Sequence, residues 1–97
     1  MMAEARPTMG DIMPKEPQLV EAVATHEHLP AEAARDKVAR MLGESWGPPA
    51  IRQMIRDEID EAMAASRWPE VDDLLDTYQW CCRHLPFGTE RRVRRLQ

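Results

Sequence analysis

The fold is decided by residues 49–85, which have the sequence PAIRQMIRDEIDEAMAASRWPEVDDLLDTYQWCCRHL. Apolar residues recur every three or four positions in two runs of this stretch, and that is the period of an α-helix. A short turn at residues 66–69 separates the two runs. Because helices of similar length joined by a short turn pack against each other, we predict an antiparallel hairpin of helices 49–66 and 69–85.

The first predicted helix places its apolar side chains on one face. These side chains are Ile51, Met54, Ile55, Ile59, Ala62 and Met63. Pro48 and Pro49 suit a helix start, since the first turn needs no amide donor. Trp68 precedes Pro69 and is therefore biased away from helical angles, so we expect this helix to end near Ser66.

The second predicted helix has a similar apolar stripe. It consists of Val71, Leu74, Leu75, Tyr78, Cys81, Cys82 and Leu85. Acidic residues fill the first turn and Arg83 and His84 the last, an arrangement in which each charge stabilises the helix dipole by about 0.3 to 1 kcal/mol. Pro86 marks the end of the helix.

The remaining sequence predicts an all-α fold, a small bundle of four to five helices around the central hairpin. We expect helices at 17–28 and 30–42, with Gly43 as a left-handed stop after the second. A fifth, short helix is expected at 90–96. Residues 17–97 then form a single helical domain with a basic C-terminal segment from residue 87.

Residues 1–16 are predicted to be a flexible N-terminal tail, because they combine prolines and a glycine with few apolar side chains. The methionines and Ile12 leave an alternative open, in which Ile12 and Met13 dock on another surface.

Charge is arranged in blocks along the chain. Eight carboxylates lie between Asp57 and Asp76 with only Arg67 opposing them, and five arginines against Glu90 follow from Arg83 onward. The net charge of −4 therefore describes a bipolar molecule. Arginine greatly outnumbers lysine, which is typical of a GC-rich bacterial or phage genome.

The two cysteines, Cys81 and Cys82, are adjacent on the predicted helix and point in different directions, so they are not expected to form a disulfide with each other. Free thiols indicate a reducing compartment. The first residues have neither the basic start nor the apolar core of a secretory signal, and no apolar run approaches membrane-spanning length. We therefore expect a cytoplasmic protein with no membrane partner.

Trp80 is the most informative single residue, because the helical period places it on the polar face, near Asp73, Asp76 and His84. An aromatic side chain flanked by charge is typical of a partner-binding surface. The alternative is that another segment covers it. The predicted partner-binding residues are Asp57, Asp60, Glu61, Asp72, Asp73, Asp76, Trp80 and His84.

Glu58 is the opposite case, a carboxylate within an apolar stripe. A buried, unpaired carboxylate is costly, so Glu58 is expected at the rim of the core or paired with an arginine, with the basic C-terminal segment as one source. No second acid or histidine is placed near it by the sequence, so a catalytic role is disfavoured.

The sequence gives little indication of a metal-binding or reactive-thiol site. His26 and His28 could join Cys82 or His84 at a metal only if the fold brought them together, and the sequence has none of the usual metal-binding spacings. A reactive thiol at Cys81 or Cys82 would need Arg83 or His84 beside it. We predict no metal, no cofactor and no catalytic residues.

These observations favour a non-enzymatic protein-binding module, an accessory subunit or small regulator that acts through an acidic helical face and an exposed aromatic, with a homodimer left open. The alternative is an acidic, phage-encoded inhibitor that mimics nucleic acid and blocks an enzyme such as a nuclease. A metal- or thiol-dependent enzyme is the least supported function. Binding of nucleic acid by the C-terminal arginines is disfavoured, because the chain is acidic overall.

Overall fold

The computed structural model describes residues 6–86, which fold into four α-helices preceded by one 3-10 turn. The 3-10 turn spans Met13–Lys15, and the α-helices are α1 (Glu16–Glu27), α2 (Ala31–Leu42), α3 (Gly47–Ala64) and α4 (Trp68–His84). Within the described range there is no β-strand, so the predicted all-α class is confirmed. The expected fifth helix at 90–96 lies outside the described residues. In the part of the chain that the structure describes, no helix combines the length and the apolar character needed to cross a membrane.

The observed helices agree with the predicted ones to within two residues at each end. Proline lies in the first turn of α1, α3 and α4, where its missing amide breaks no helical hydrogen bond. α3 ends at Ala64, two residues before the expected end near Ser66, and Trp68 is the first residue of α4, although it precedes Pro69. The connection between α3 and α4 consists of residues 65–67.

Two helices end at residues in the left-handed region, and neither is a glycine. His28 (φ 58°) follows α1, and Ser66 (φ 59°) follows α3. After each of them an amide donates back to the last turn of the helix, Leu29 N to Ala24 O and Arg67 N to Ala62 O, both at 2.9 Å. These bonds satisfy carbonyls that would otherwise lack a partner.

The prediction that Gly43 is a left-handed stop is wrong, since its φ is −82°. Its amide instead donates to the carbonyl of Arg40 in a tight final turn. Among the glycines of residues 6–86, the one that the fold requires is Gly47, where a Cβ atom would lie 1.6 Å from the carbonyl oxygen of Met41. The close approach of the end of α2 to the start of α3 therefore depends on Gly47.

The core is formed by all four helices and by one residue that precedes them. Its fully buried large side chains include Ile12, Leu19, Val23, Val38, Leu42, Ile51 and Ile55. Ile12 is 0% exposed, whereas the neighbouring Met13 is 65% exposed. A turn in which Asp11 accepts a hydrogen bond from the amide of Thr8 precedes this buried isoleucine. Ile12 is thus part of the domain core.

The most extensive packing between any two elements joins α3 and α4, and α1 packs against both α2 and α3. Arg56 in α3 donates a hydrogen bond to the hydroxyl of Tyr78 in α4. Arg52, in the first half of α3, donates to the carbonyl of Pro86, just after the end of α4. This arrangement leaves a groove between α1 on one side and α3 with α4 on the other.

Candidate functional site

The groove consists of two adjoining cavities of about 450 and 470 Å³. The first cavity is lined by Lys15, Gln18, Glu21, Ala22, Thr25, Glu58, Pro69, Glu70, Asp73, Leu74, Asp76 and Thr77. The second is lined by Thr25, His26, His28, Asp57, Glu58, Asp60, Glu61 and Ala64. Thr25 and Glu58 belong to both, so they mark the point where the cavities meet. We call this surface the acidic groove.

Glu58 lies at the centre of the acidic groove because of its position on α3. It is seven residues after Ile51 and three after Ile55, so the helical period places it among the side chains that face the core. The residue is only 6% exposed. Among the residues that the structure describes, its carboxylate has no hydrogen-bond or ion-pair partner.

The carboxylate of Glu58 nevertheless opens towards the groove. Within residues 6–86, no side-chain nitrogen or oxygen is completely enclosed without a hydrogen-bond partner. Since Glu58 has no such partner there, its oxygens must reach the cavity. Burial raises the pKa of Glu58, and the nearby negative charges of Glu61, Glu70 and Asp57 raise it further, against the opposing effect of His26. The groove therefore holds an acid whose negative charge is poorly compensated.

His26 bridges two helices at the end of the second cavity. Its Nε2 lies 2.9 Å from Oδ2 of Asp57 in α3, and its Nδ1 lies 2.7 Å from Oε2 of Glu27. Burial disfavours the charged imidazole, but the hydrogen bonds to the two carboxylates outweigh it and raise the pKa of His26. In its protonated form the ring donates to both carboxylates.

The two carboxylates that bind His26 have further partners. Gln53 donates a hydrogen bond to Asp57, and this bond and the one to His26 lower the pKa of Asp57. Lys37 in α2 donates to Glu27 and, with His26, lowers the pKa of Glu27. A charged network that joins α1, α2 and α3 thus contributes His26 and Asp57 to the lining of the second cavity.

A second ion pair lies beside the first cavity. Lys15, at the end of the 3-10 turn, donates to Asp76 in α4, and this hydrogen bond lowers the pKa of the Asp76 carboxyl. Glu70 likewise accepts from Arg67 at 2.8 Å. By contrast, Asp60, Glu61 and Asp73 form no ion pair with any residue of the described range. These three carboxylates and Glu58 give the groove its uncompensated negative charge.

The structure brings five of the eight predicted partner-binding residues into the acidic groove. Asp57, Asp60 and Glu61 line its second cavity, and Asp73 and Asp76 line its first. The other three, Asp72, Trp80 and His84, line neither cavity.

Trp80 is half-buried and packs against the hydrophobic core. Its ring stacks on the imidazole of His84 with a centroid distance of 4.7 Å and an angle of 25° between the planes. The most exposed aromatic side chains of the described residues are instead Trp46 and Trp68, at 52% and 54%. Trp68 and the exposed Leu75 are seven residues apart and share one face of α4.

The sequence did not predict that some of these residues line the groove. Glu21 and Thr25 lie on the polar face of α1, and Lys15 was assigned to the tail, so nothing in the sequence connects them with α3 or α4. Glu58 carried a signal, a charge within an apolar stripe, but the sequence did not reveal that a cavity opens above it.

Metal binding and thiol chemistry depend on where the structure places the histidine, cysteine and carboxylate side chains. Within residues 6–86, no three histidine, cysteine, aspartate or glutamate side chains form a group that could hold a metal ion. Cys81 is fully buried, and burial raises the pKa of its thiol to about 12, so this thiol stays protonated. Cys82 is half-buried, and both cysteines are free.

Comparisons of the chain with protein-family models, with curated proteins and with solved structures find no match.

Proposed function

We propose that this chain is a non-enzymatic protein-binding module, an accessory subunit or small regulator, whose acidic groove binds a basic surface of a partner protein. The observation that carries the proposal is the state of Glu58, which is 6% exposed and has no partner among the described residues. Since a buried, unpaired carboxylate is costly, such a residue favours a ligand that brings a positive charge to it.

The rim of the groove supports the same partner chemistry. Asp60, Glu61 and Asp73 lie beside Glu58 and lack ion pairs within the described range. Clefts lined by charges of one sign concentrate the field and increase the rate at which oppositely charged partners associate. A basic protein surface fits this field better than an acidic or apolar one.

The proposal assigns no catalytic step to the groove. A general acid or base acts on a substrate atom within hydrogen-bond reach, and it commonly works beside a second acid, base or nucleophile. Within residues 6–86, Glu58 forms no hydrogen bond to a histidine, cysteine or serine side chain. This supports binding rather than chemistry as the role of Glu58.

We also propose that α3 and α4 form the predicted antiparallel hairpin and that this hairpin supports the groove. The hydrogen bond from Arg52 to the carbonyl of Pro86, at 3.1 Å, supports it, because it joins the first half of α3 to the end of α4. The predicted homodimer and the predicted cytoplasmic location also stay predictions. Light scattering at a low and a high protein concentration tests the dimer.

The experiment that tests the proposed function is affinity capture from the native host with the full chain. We define a groove variant, D60N/E61Q/D73N, and a control variant, E32Q/D36N/E44Q, whose three carboxylates are exposed and lie outside both cavities. Both variants lose the same charge. A basic protein captured by the wild type and the control variant but not by the groove variant supports the proposal, and equal capture by all three contradicts it.

A second candidate function is the acidic inhibitor that mimics nucleic acid. It is favoured by the uncompensated carboxylates of Asp60, Glu61 and Asp73, because a mimic of phosphates must present unpaired negative charges. Such an inhibitor should bind a basic nucleic-acid enzyme, and its binding should weaken steeply as salt is raised from about 50 mM to about 500 mM. Binding that is insensitive to salt would exclude this function.

A further inference from the structure

The junction of the two cavities of the acidic groove is a subsite in which negative charge predominates. This subsite is formed by Glu58 at the junction of the two cavities. The charged groups that face it are His26 from α1, Asp57 and Glu61 from α3, and Glu70 from α4. Three of these four are acidic, so negative charge predominates around the Glu58 carboxylate.

The lysine that lines the first cavity already has a carboxylate partner. Lys15 lines the first cavity, but its ammonium group donates to Asp76. Arg67 is likewise paired with Glu70. These pairs leave the carboxylate of Glu58 to a cation from elsewhere.

The chain itself carries such a cation source immediately after the described residues. Residues 87–97 contain Arg91, Arg92, Arg94 and Arg95 with Glu90 as the one acid, which gives the segment a net charge of +3. The segment begins after Pro86, whose carbonyl accepts a hydrogen bond from Arg52. Its starting point is therefore fixed at the end of α4.

The segment is long enough to reach the subsite. The α4 acids that line the first cavity, Glu70, Asp73 and Asp76, are ten to sixteen residues before Pro86, and Asp76 is the nearest. At a helical rise of 1.5 Å per residue, Asp76 and Asp73 lie about 15 and about 20 Å from Pro86. An extended chain spans at most about 3.3 to 3.6 Å per residue, so Arg94 and Arg95 can be placed up to about 26 to 32 Å beyond Pro86.

We propose that an arginine of the basic segment 91–95 binds in the acidic groove of the same molecule, with its guanidinium group against the carboxylate of Glu58. The planar guanidinium suits this place because it pairs with a carboxylate through two parallel hydrogen bonds and is more weakly hydrated than an ammonium group. This contact goes beyond the proposed function, since it names a ligand within the chain. It makes the segment a competitor of any basic partner for the groove.

The test measures Glu58 directly in the full-length chain and involves no partner, so its outcome is independent of the capture experiment. The glutamate side chains are labelled with ¹³C, and the Glu58 carboxyl resonance is identified by its loss in the variant E58Q. The resonance is titrated with acid in the wild type and in the basic-segment variant R91Q/R92Q/R94Q/R95Q. Glu32, which is exposed on α2 outside both cavities, serves as the internal control.

The expected result is a rise in the Glu58 pKa of about one unit or more when the four arginines are removed, because a nearby opposite charge lowers the pKa of a carboxyl by about 1 to 3 units. The pKa of Glu32 should change much less. Amide spectra of both proteins establish that each is folded. If Glu58 titrates at the same pH in both, or if Glu58 and Glu32 shift equally, the proposal is overturned.

A second measurement distinguishes contact within one molecule from contact between two copies. The wild-type titration is repeated at a low and a high protein concentration. A Glu58 pKa that does not change with concentration supports the contact within one molecule. A lowered pKa that appears only at high concentration assigns the arginine to a second copy and overturns the proposal as stated.

Discussion

The imidazole Nε2 of His26 lies 2.9 Å from Oδ2 of Asp57, and this contact joins the last turn of α1 to the middle of α3. The same two helices form opposite walls of the acidic groove. A pair that holds them together therefore also sets the width of the second cavity. Because the pair contains a histidine, its contribution to stability depends on pH.

Replacing His26 with alanine should destabilise the protein more at acidic than at alkaline pH. The hydrogen bonds to Asp57 and Glu27 outweigh the opposing effect of burial and raise the pKa of His26 above its ordinary value of 6.5. A raised histidine pKa stabilises the folded state fully below the unfolded value, and the gain is lost as pH rises through the folded value. Since Asp57 is 47% exposed and screened by solvent, we expect a loss of about 0.5 to 1 kcal/mol at about pH 5.5 and a smaller one at about pH 8.5.

Urea denaturation of H26A and the wild type at the two pH values checks this. The control is H28N, which removes an exposed histidine but keeps a residue type that tolerates the left-handed conformation of position 28. H28N should leave the pH dependence unchanged. A loss for H26A that is equal at both pH values would show that the pair acts through packing rather than through the charge of the imidazole.

Replacing Glu58 with glutamine should have different consequences for stability in the basic-segment variant and in the wild type. Burial raises the pKa of Glu58 above its ordinary value of 4.5. An acid with a raised folded pKa lowers stability above that pKa, and the penalty disappears as pH falls to the unfolded value. In the basic-segment variant, E58Q should therefore increase the free energy of unfolding by about 1 kcal/mol at neutral pH, and the gain should vanish at about pH 4.

In the wild-type background the same substitution removes the proposed partner of an arginine, so we expect no gain. Urea denaturation of the four proteins gives the coupling between Glu58 and the arginines, which should be about 1 kcal/mol or more. An equal effect of E58Q in both backgrounds would mean that the two do not interact.

Replacement of Gly47 by alanine should destabilise the fold more than replacement of Gly43. A Cβ atom at this position would lie 1.6 Å from the carbonyl oxygen of Met41, so backbone must move to admit it. We expect G47A to destabilise the protein by about 3 kcal/mol. The matched control is G43A, whose Cβ would meet nothing closer than 3.6 Å and whose φ is ordinary. G43A should be neutral or stabilising by up to about 1 kcal/mol. Thermal or urea denaturation ranks the two, and the reverse order would contradict the close approach of α2 to α3.

Ile12 should contribute to the stability of the bundle although it precedes all four α-helices. Its side chain is fully buried, so I12A leaves a cavity and should cost about 2 to 4 kcal/mol. M13A changes the neighbouring side chain, which is 65% exposed, and should cost little. The comparison uses urea denaturation of both variants. If I12A were as stable as M13A, the burial of Ile12 would not contribute to the free energy of unfolding.

The sequence alone predicted the helices well, because their signals are local. Apolar side chains at helical spacing and prolines in first turns located all four α-helices to within two residues. Gly43 and Gly47 illustrate what local signals miss. Both glycines flank a helix end, but the need for Gly47 comes from the carbonyl of Met41, which only the packing of α2 on α3 brings near.

The candidate site was predicted only in part for the same reason. Asp57, Asp60 and Glu61 follow one another on α3, so the sequence could group them. Their relation to Thr25 and Glu21 depends on how α1 lies against α3, and no pattern in either helix encodes that distance. For Trp80 the sequence left open whether the ring is exposed or covered, because its packing against the core depends on the tertiary structure.

The most direct test of the acidic groove as a binding surface is calorimetric titration with a defined basic probe. The probe is a synthetic peptide of residues 87–97, and the protein is the full-length basic-segment variant, whose own segment no longer competes. The account predicts that adding D60N/E61Q/D73N weakens binding about tenfold or more, about 1.4 kcal/mol, whereas adding E32Q/D36N/E44Q leaves the affinity unchanged. Since both sets remove the same charge, equal affinity of the two proteins for the peptide would contradict the claim that the groove is the binding site.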